Sequence, residues 1–278
     1  MSSNNQVNTG GNNSDGEKNK KEDVKKLEEQ KKLEEAKKLE EKRLEEERRM
    51  RVELPNEIKL TAFNSMKTIL SARKFEDKTT KQYADFITDD ILDKLILKYS
   101  KTHSFTVVVF LSSSKSQCVE HSKGFIGVDD LFIKTEYSDE NWICYTLITF
   151  VQKSNRDPKR KTLPQPAMEK MDAKVKKLIG KEMTKFLVNK TWDLTNPQQD
   201  CNALVDNILD KLTFKYEEYY FAVNCLLRND DAGYTAYSNS YFFFPKEDST
   251  CFEIFKNDDE KVKNSLFCTV YTSYFKFK

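Results

Sequence analysis

Ile91-Leu92-Asp93-Lys94-Leu95-Ile96-Leu97-Lys98-Tyr99 decides the fold, because it returns as Ile208-Leu209-Asp210-Lys211-Leu212-Thr213-Phe214-Lys215-Tyr216. Seven of the nine positions are identical, at an offset of 117 residues. The same offset sets Met66 on Met183, Leu70 on Leu187, Phe75 on Trp192 and Asp89 on Asp206. Solenoid repeats have periods of roughly 20 to 50 residues, so this period is domain-sized. The chain reads as a duplicated domain whose copies lie side by side.

Working outward from each signature gives the same order of elements twice. Before the first lie Asn56 to Arg73, with Ile58, Leu60, Phe63, Met66, Ile69 and Leu70 at helical spacing, and Asp77 to Tyr99, with Tyr83, Phe86, Ile87, Ile91, Leu92 and Leu95. Then the period changes. Phe105 to Leu111 is a β-branched, nearly continuous apolar run, the pattern of a strand buried on both faces. A weaker segment around Cys118 to Ile126, the alternating Leu131 to Tyr137, and Trp142 to Val151 complete the first copy.

The second copy places helices at Met168 to Asn189 and from Pro197 through the signature. Its strands are Tyr219 to Leu227, Tyr234 to Phe244, Cys251 to Phe255 and Leu266 to Phe277. Turn chemistry is read at Asn229 to Gly233 and at Asn257 to Glu260. Each copy is therefore an α+β unit, two helices covering one face of a four-stranded antiparallel sheet.

The expected boundaries are a disordered tail over 1–21, a charged helix over 22–54, a first domain over 55–152, a linker over 153–166 and a second domain over 167–278. Leucines 27, 33, 39 and 44 are spaced by six, six and five, whereas a coiled-coil seam alternates three and four. No continuous apolar stripe forms. Instead, Glu28–Lys32, Glu34–Lys38 and Glu45–Arg49 are pairs four apart that support a solvated single helix. Such a helix acts as a spacer or docks in a larger assembly. Pro55 is expected to end it.

Composition removes several function classes. The net charge of +2 gives no argument for nucleic acid, and only seven glycines disfavour Gly-rich nucleotide-binding loops. The six cysteines show no C-x-x-C spacing and only two histidines accompany them, so no metal site and no cofactor are expected. With no secretory signal and no apolar run approaching the ~18 residues of a membrane helix, the cysteines read as buried, reduced thiols in a protein without a membrane partner. His103 and His121 are packing or surface residues in this reading. Asp89-Asp90, Asp129-Asp130 and Asp258-Asp259 are taken as helix-start or turn carboxylates, and Tyr219-Tyr220 and Tyr241 to Phe244 as sheet packing. No catalytic constellation assembles, which argues for binding.

The second copy resembles the Tctex-type dynein light chains. The resemblance lies in Trp192, the helix Leu204 to Leu212 followed by Phe214-Lys215-Tyr216, the strand Phe221 to Arg228 with its central Cys225, Gly233, the strand Ser238 to Phe242, and the Cys-bearing Leu266 to Val270. It covers nearly all of 168–278 and reaches 56–152 through the internal repeat. The first copy departs from it, with no glycine at Ser112-Ser113-Ser114-Lys115 and a less aromatic second strand.

The resemblance implies two Tctex-like domains forming an intramolecular pseudo-dimer, since family members pair as homodimers whose second strands join the partner's sheet. It further implies a non-catalytic light chain that binds a dynein intermediate chain by strand addition at the third strand of a copy. The matching residues here are Phe132, Lys134 and Glu136, and Phe252, Ile254 and Lys256. Other dynein light chains are implied as partners, with axonemal or docking proteins meeting the N-terminal helix. The place implied is the cytoplasm and cytoskeleton, in a ciliary axoneme. The second reading is a ciliary or cytoskeletal scaffold that uses the fold without a motor.

Overall fold

A computed structural model describes residues 14–127, 130–153, 165–192, 196–229, 235–242, 248–256 and 266–277. The chain divides into two compact units, Met1–Leu54 and Pro55–Lys278.

In the first unit, α1 spans Ser14–Arg48 and a π-helical turn spans Arg49–Glu53. Residues 14–21, expected within a disordered tail, are helical; Glu17, Lys18, Lys20 and Lys21 are strong helix formers behind a serine. Residues 1–13 lie outside the described ones. Leu33, Leu39 and Leu44 are exposed, as their spacing requires. Glu34–Lys38 forms at 3.1 Å, and Arg43–Glu40 and Arg51–Glu47 join the ladder.

Pro55 does not stop the helical backbone. It sits in the first turn of α2, Leu54–Leu70, where proline loses nothing by lacking an N–H. The π turn just before it relaxes the usual i to i−4 register.

In the second unit, α2 and α3 (Asp77–Tyr99) precede β1 (His103–Ser113), β2 (Cys118–Phe125), β3 (Leu131–Ser138) and β4 (Trp142–Gln152). The order repeats as α4 (Gln165–Leu187), α5 (Pro197–Lys215), β5 (Tyr219–Asn229), β6 (Thr235–Phe242), β7 (Ser249–Lys256) and β8 (Leu266–Lys276). Of the expected 153–166 linker, Lys153 directly follows β4 and 165–166 open α4, while 154–164 lie outside the described residues. The turn residues 230–233 and 257–260 lie outside them too.

Two four-stranded antiparallel sheets result, ordered β3-β4-β1-β6 and β2-β5-β8-β7. Neither β1 with β2 nor β5 with β6 forms a hairpin. Instead β2 pairs with β5, Cys118 opposite Arg228, and β6 pairs with β1, Thr235 opposite Ser112. Each sheet thus takes one strand from the other half of the unit. The two crossings meet where Asn229 N–H donates to the Gln117 carbonyl at 3.0 Å.

Helices cover the outer faces: α3 lies over β1 and β6, α5 over β2 and β5, and α4 over β7. On α2, Met66 meets Thr146 of β4 and Phe63 meets Tyr137 of β3. The buried stripes run through Ile58, Ala62, Met66 and Leu70 and through Ala84, Ile87, Ile91 and Leu95, leaving Leu60, Phe63 and Phe86 exposed. In the second half, Val175, Ile179 and Met183 of α4 and Leu204, Val205, Ile208 and Leu212 of α5 pack on Phe221, Val223 and Cys225.

The inner faces of the sheets meet through Val108, Phe110 and Leu147 on one side and Leu226 and Tyr271 on the other. Ser273 and Thr106 hydroxyls bridge them at 3.1 Å. This second layer is why β1 and β5 are buried nearly end to end.

Candidate partner-binding site

Among the described residues β3 and β7 are outer strands, each bonded to one neighbour, β4 and β8 respectively. Their other edges carry backbone groups that a further strand can pair. The alternation of a strand puts Phe132, Lys134 and Glu136 on one face of β3, and Phe252, Ile254 and Lys256 on one face of β7. In both strands that face is turned toward the opposing sheet. The reverse face of β7 carries Cys251 and Phe255 into the core under α4.

What each set meets is different. Phe132 packs against the inter-sheet cluster and lies over Gly124 of β2, where a Cβ would come within 3.4 Å of its ring. Lys134, the fourth residue of β3, pairs with Glu120, the third of β2, and lies 5.2 Å over the Tyr145 ring. The Glu120 side chain is wholly buried, and the ammonium of Lys134 lies against its carboxylate and balances it. Phe252, the fourth residue of β7, meets Tyr237, the third of β6, at 5.4 Å and stacks on Tyr271 at 5.7 Å. The corresponding positions in the two halves thus hold an ion pair at one seam and an aromatic cluster at the other.

Around β7 the exposed surface is apolar: Phe252 is 38% and Ile254 45% exposed. Lys176 of α4 reaches to within 6.0 Å of the Phe252 ring, a cation beside the free edge of the kind that discourages unwanted strand pairing. Around β3, Lys134 is committed to Glu120, and Glu136 is exposed. Sequence patterning set the six residues out as alternate positions of two strands, but did not reach Glu120, Tyr237 or Tyr271. The signal for these was the repeat itself, once β2 and β6 are placed on the opposite sheets.

The histidines and acids have structural surroundings. His103 stacks on Phe150 at 4.1 Å, and its imidazole is held down at about 4 by burial and by Lys153. Burial also lowers the His121 pKa, although Glu120 and Asp206 oppose the shift. Asp89 and Asp90 sit inside α3 rather than at its start, with Asp90 bonded to Lys94 at 2.6 Å. Asp130 caps the chain, accepting from Gln152 N at 2.7 Å and Gly127 N at 3.0 Å. Tyr220 stacks on Phe277 at 4.0 Å, whereas Tyr241 is exposed.

All six cysteines are free, five of them buried; Cys225 and Cys268 touch at 3.5 Å, and burial raises the Cys251 thiol to about 12. Among the described residues no cluster of three or more His, Cys, Asp or Glu is placed to hold a metal ion. No helix among them is long and apolar enough to cross a membrane.

No curated protein matches the chain. The Tctex-1 family model matches residues 170–274, a span that runs from α4 through β8 and includes β7. Over that stretch, which carries the apolar edge of β7, the chain is thus similar to the Tctex-1 family, a family of dynein light chains.

Proposed function

We propose that the chain is a non-catalytic dynein light chain built from two fused Tctex-type copies, 55–152 and 167–278, that associate as an intramolecular pseudo-dimer. The reciprocal exchange of β2 and β6 supports this pairing, because each sheet is completed only by the other half. Joining the copies through 153–166 holds their effective concentration near ~1 mM, so they stay paired on dilution.

The observation that carries the binding role is the free edge of β7 beside Phe252 and Ile254. An extended segment of a dynein intermediate chain adds there as a further strand, its backbone completing the ladder and its alternate apolar side chains covering the two residues. Lys256 extends that face, and Lys176 moves aside. The β3 edge, with Phe132, Lys134 and Glu136, is the weaker acceptor because its lysine is committed to a buried carboxylate. The charged α1 docks the light chain onto neighbouring axonemal components or other light chains.

Titrating the full chain with a peptide from the disordered N-terminal region of an intermediate chain tests this. Ile254→Glu is expected to weaken binding at least ~10-fold, or about 1.4 kcal/mol, while Glu136→Lys changes it less than ~3-fold. Equal affinity for Ile254→Glu and the wild type would remove β7 as the site. Copurification of filament or doublet proteins without a heavy chain would favour the motor-free scaffold.

A further inference from the structure

On the side of the second half away from the opposing sheet, α4 and α5 enclose a groove of about 860 Å³. Both walls have one spacing. α4 contributes Lys174, Lys177, Leu178, Lys181 and Glu182, and α5 contributes Asn207, Asp210, Lys211, Phe214 and Lys215. Each set falls at i, i+3, i+4, i+7 and i+8, the positions that line up on one face of a helix. The groove is therefore a straight channel about 12 Å long, with an apolar floor flanked by cations.

Two features mark it as an unfilled surface. Phe214 stands 86% exposed over the channel. Five lysines face two acids, and Glu182 is already paired with Lys211, which leaves Lys174, Lys177 and Lys181 without an ion-pair partner among the described residues.

The first half shows the comparison. Leu97 holds the place of Phe214 in the repeated signature and is 90% exposed. There, however, Lys98 is paired with Glu57 of α2, whereas the residue at the offset of 117 from Glu57 is Lys174, facing Lys215 across the groove. The intramolecular neutralisation of one half is replaced in the other by like charge on both walls. Like charges so placed are relieved by an acidic occupant.

α1 of this chain does not meet that requirement, since its acidic and basic residues alternate in near balance and its leucines form no stripe.

We propose that the α4/α5 groove docks an acidic amphipathic helix of a second protein. Its apolar stripe would cover Phe214 and Leu178, and flanking Glu or Asp residues would meet Lys174, Lys177, Lys181 and Lys215. This is helix-in-groove recognition, on a different surface from the β7 edge, and it does not require that edge to bind anything.

The test is a displayed library of 18-residue helices with a fixed leucine stripe and all other positions varied. The library is selected on the full chain and counter-selected on the Phe214→Ser/Lys215→Glu variant; both residues are exposed enough to change without disturbing the core. Enriched helices are expected to be acidic beside the stripe. As free peptides they should lose at least 10-fold in affinity to the variant and to their own scrambled sequences, and weaken further as salt rises.

Enrichment without acidic residues, scrambled peptides that bind equally, or no clone lost on the variant would overturn the proposal. Polyuridylate serves as a second probe. Binding of polyuridylate that is as sensitive to the variant as the best helix, and competes with it at equal charge, would replace a helix by a polynucleotide as the occupant.

Discussion

At the seam between the sheets, Glu120 and Lys134 occupy the positions that Tyr237 and Phe252 occupy at the other seam. A buried carboxylate with a single cation stabilises little by itself, but it is costly to leave alone. Lys134→Phe is therefore expected to lose about 2–4 kcal/mol in urea unfolding, and Glu120→Tyr combined with Lys134→Phe to recover most of it by recreating the aromatic seam. A single variant as stable as wild type would show that the buried Glu120 carboxylate does not depend on Lys134.

His103 makes a prediction of opposite electrostatic origin. Its folded pKa of about 4 lies below the ordinary 6.5, so the fold holds it neutral while the unfolded chain takes a proton first. Its contribution is complete above pH 6.5 and declines as pH falls through 6.5 toward 4, by about 1–2 kcal/mol. The difference between wild type and His103→Gln, followed by urea unfolding across that range, isolates this from the carboxylates. A pH-independent difference would contradict it.

At the scale of elements, what was legible follows from what periodicity carries. The helices around both signatures and all eight strands were readable from spacing 3.6 and 2, and Pro197 marked the start of α5 because its fixed φ suits a first turn. The end of the N-terminal helix at Pro55 was not. The same missing N–H that breaks a helix interior is harmless in a first turn, and the π turn before α2 was invisible in composition. Leu60, Phe63 and Phe86 fit a helical stripe, yet Ala62 and Ala84 are the residues buried, because closely approaching elements select small side chains that hydropathy does not count.

The partners of β2 and β6 were beyond local reading altogether. A strand's own residues fix which of them share a face, not which sheet receives it. Within the strands themselves the full burial of β1 was the hint, since Val108 and Phe110 needed a cover that the helices on the opposite face could not supply; the exchange of second strands was an expectation of the resemblance alone. The same limit left the β3 and β7 residues grouped but without their seam partners.

For the whole molecule, exchange of strands ties together the two halves of the unit from Pro55 onward, which the chain also joins through 154–164. Cutting the chain there tests what the fold itself holds. With a protease site placed in that stretch, the cleaved protein should still migrate as one species with the 32.6 kDa mass of the intact chain. β2 remains paired along its length with β5, and β6 with β1, so separation requires breaking two ladders and exposing Val108, Phe110, Leu226 and Tyr271 to water.

What cleavage changes is the order of the reaction. Unfolding of the intact chain is unimolecular, so its midpoint in urea is independent of protein concentration. Unfolding of the cut chain releases two pieces, and its midpoint should rise as concentration rises. Pieces that part on gel filtration at micromolar concentration would mean that the linker, not the exchanged strands, holds the halves together, and would turn the proposed pseudo-dimer into two tethered domains. A cut species that stays whole but unfolds with a concentration-dependent midpoint places the association energy in the β2–β5 and β1–β6 ladders and in the seam that Glu120, Lys134, Tyr237 and Phe252 close.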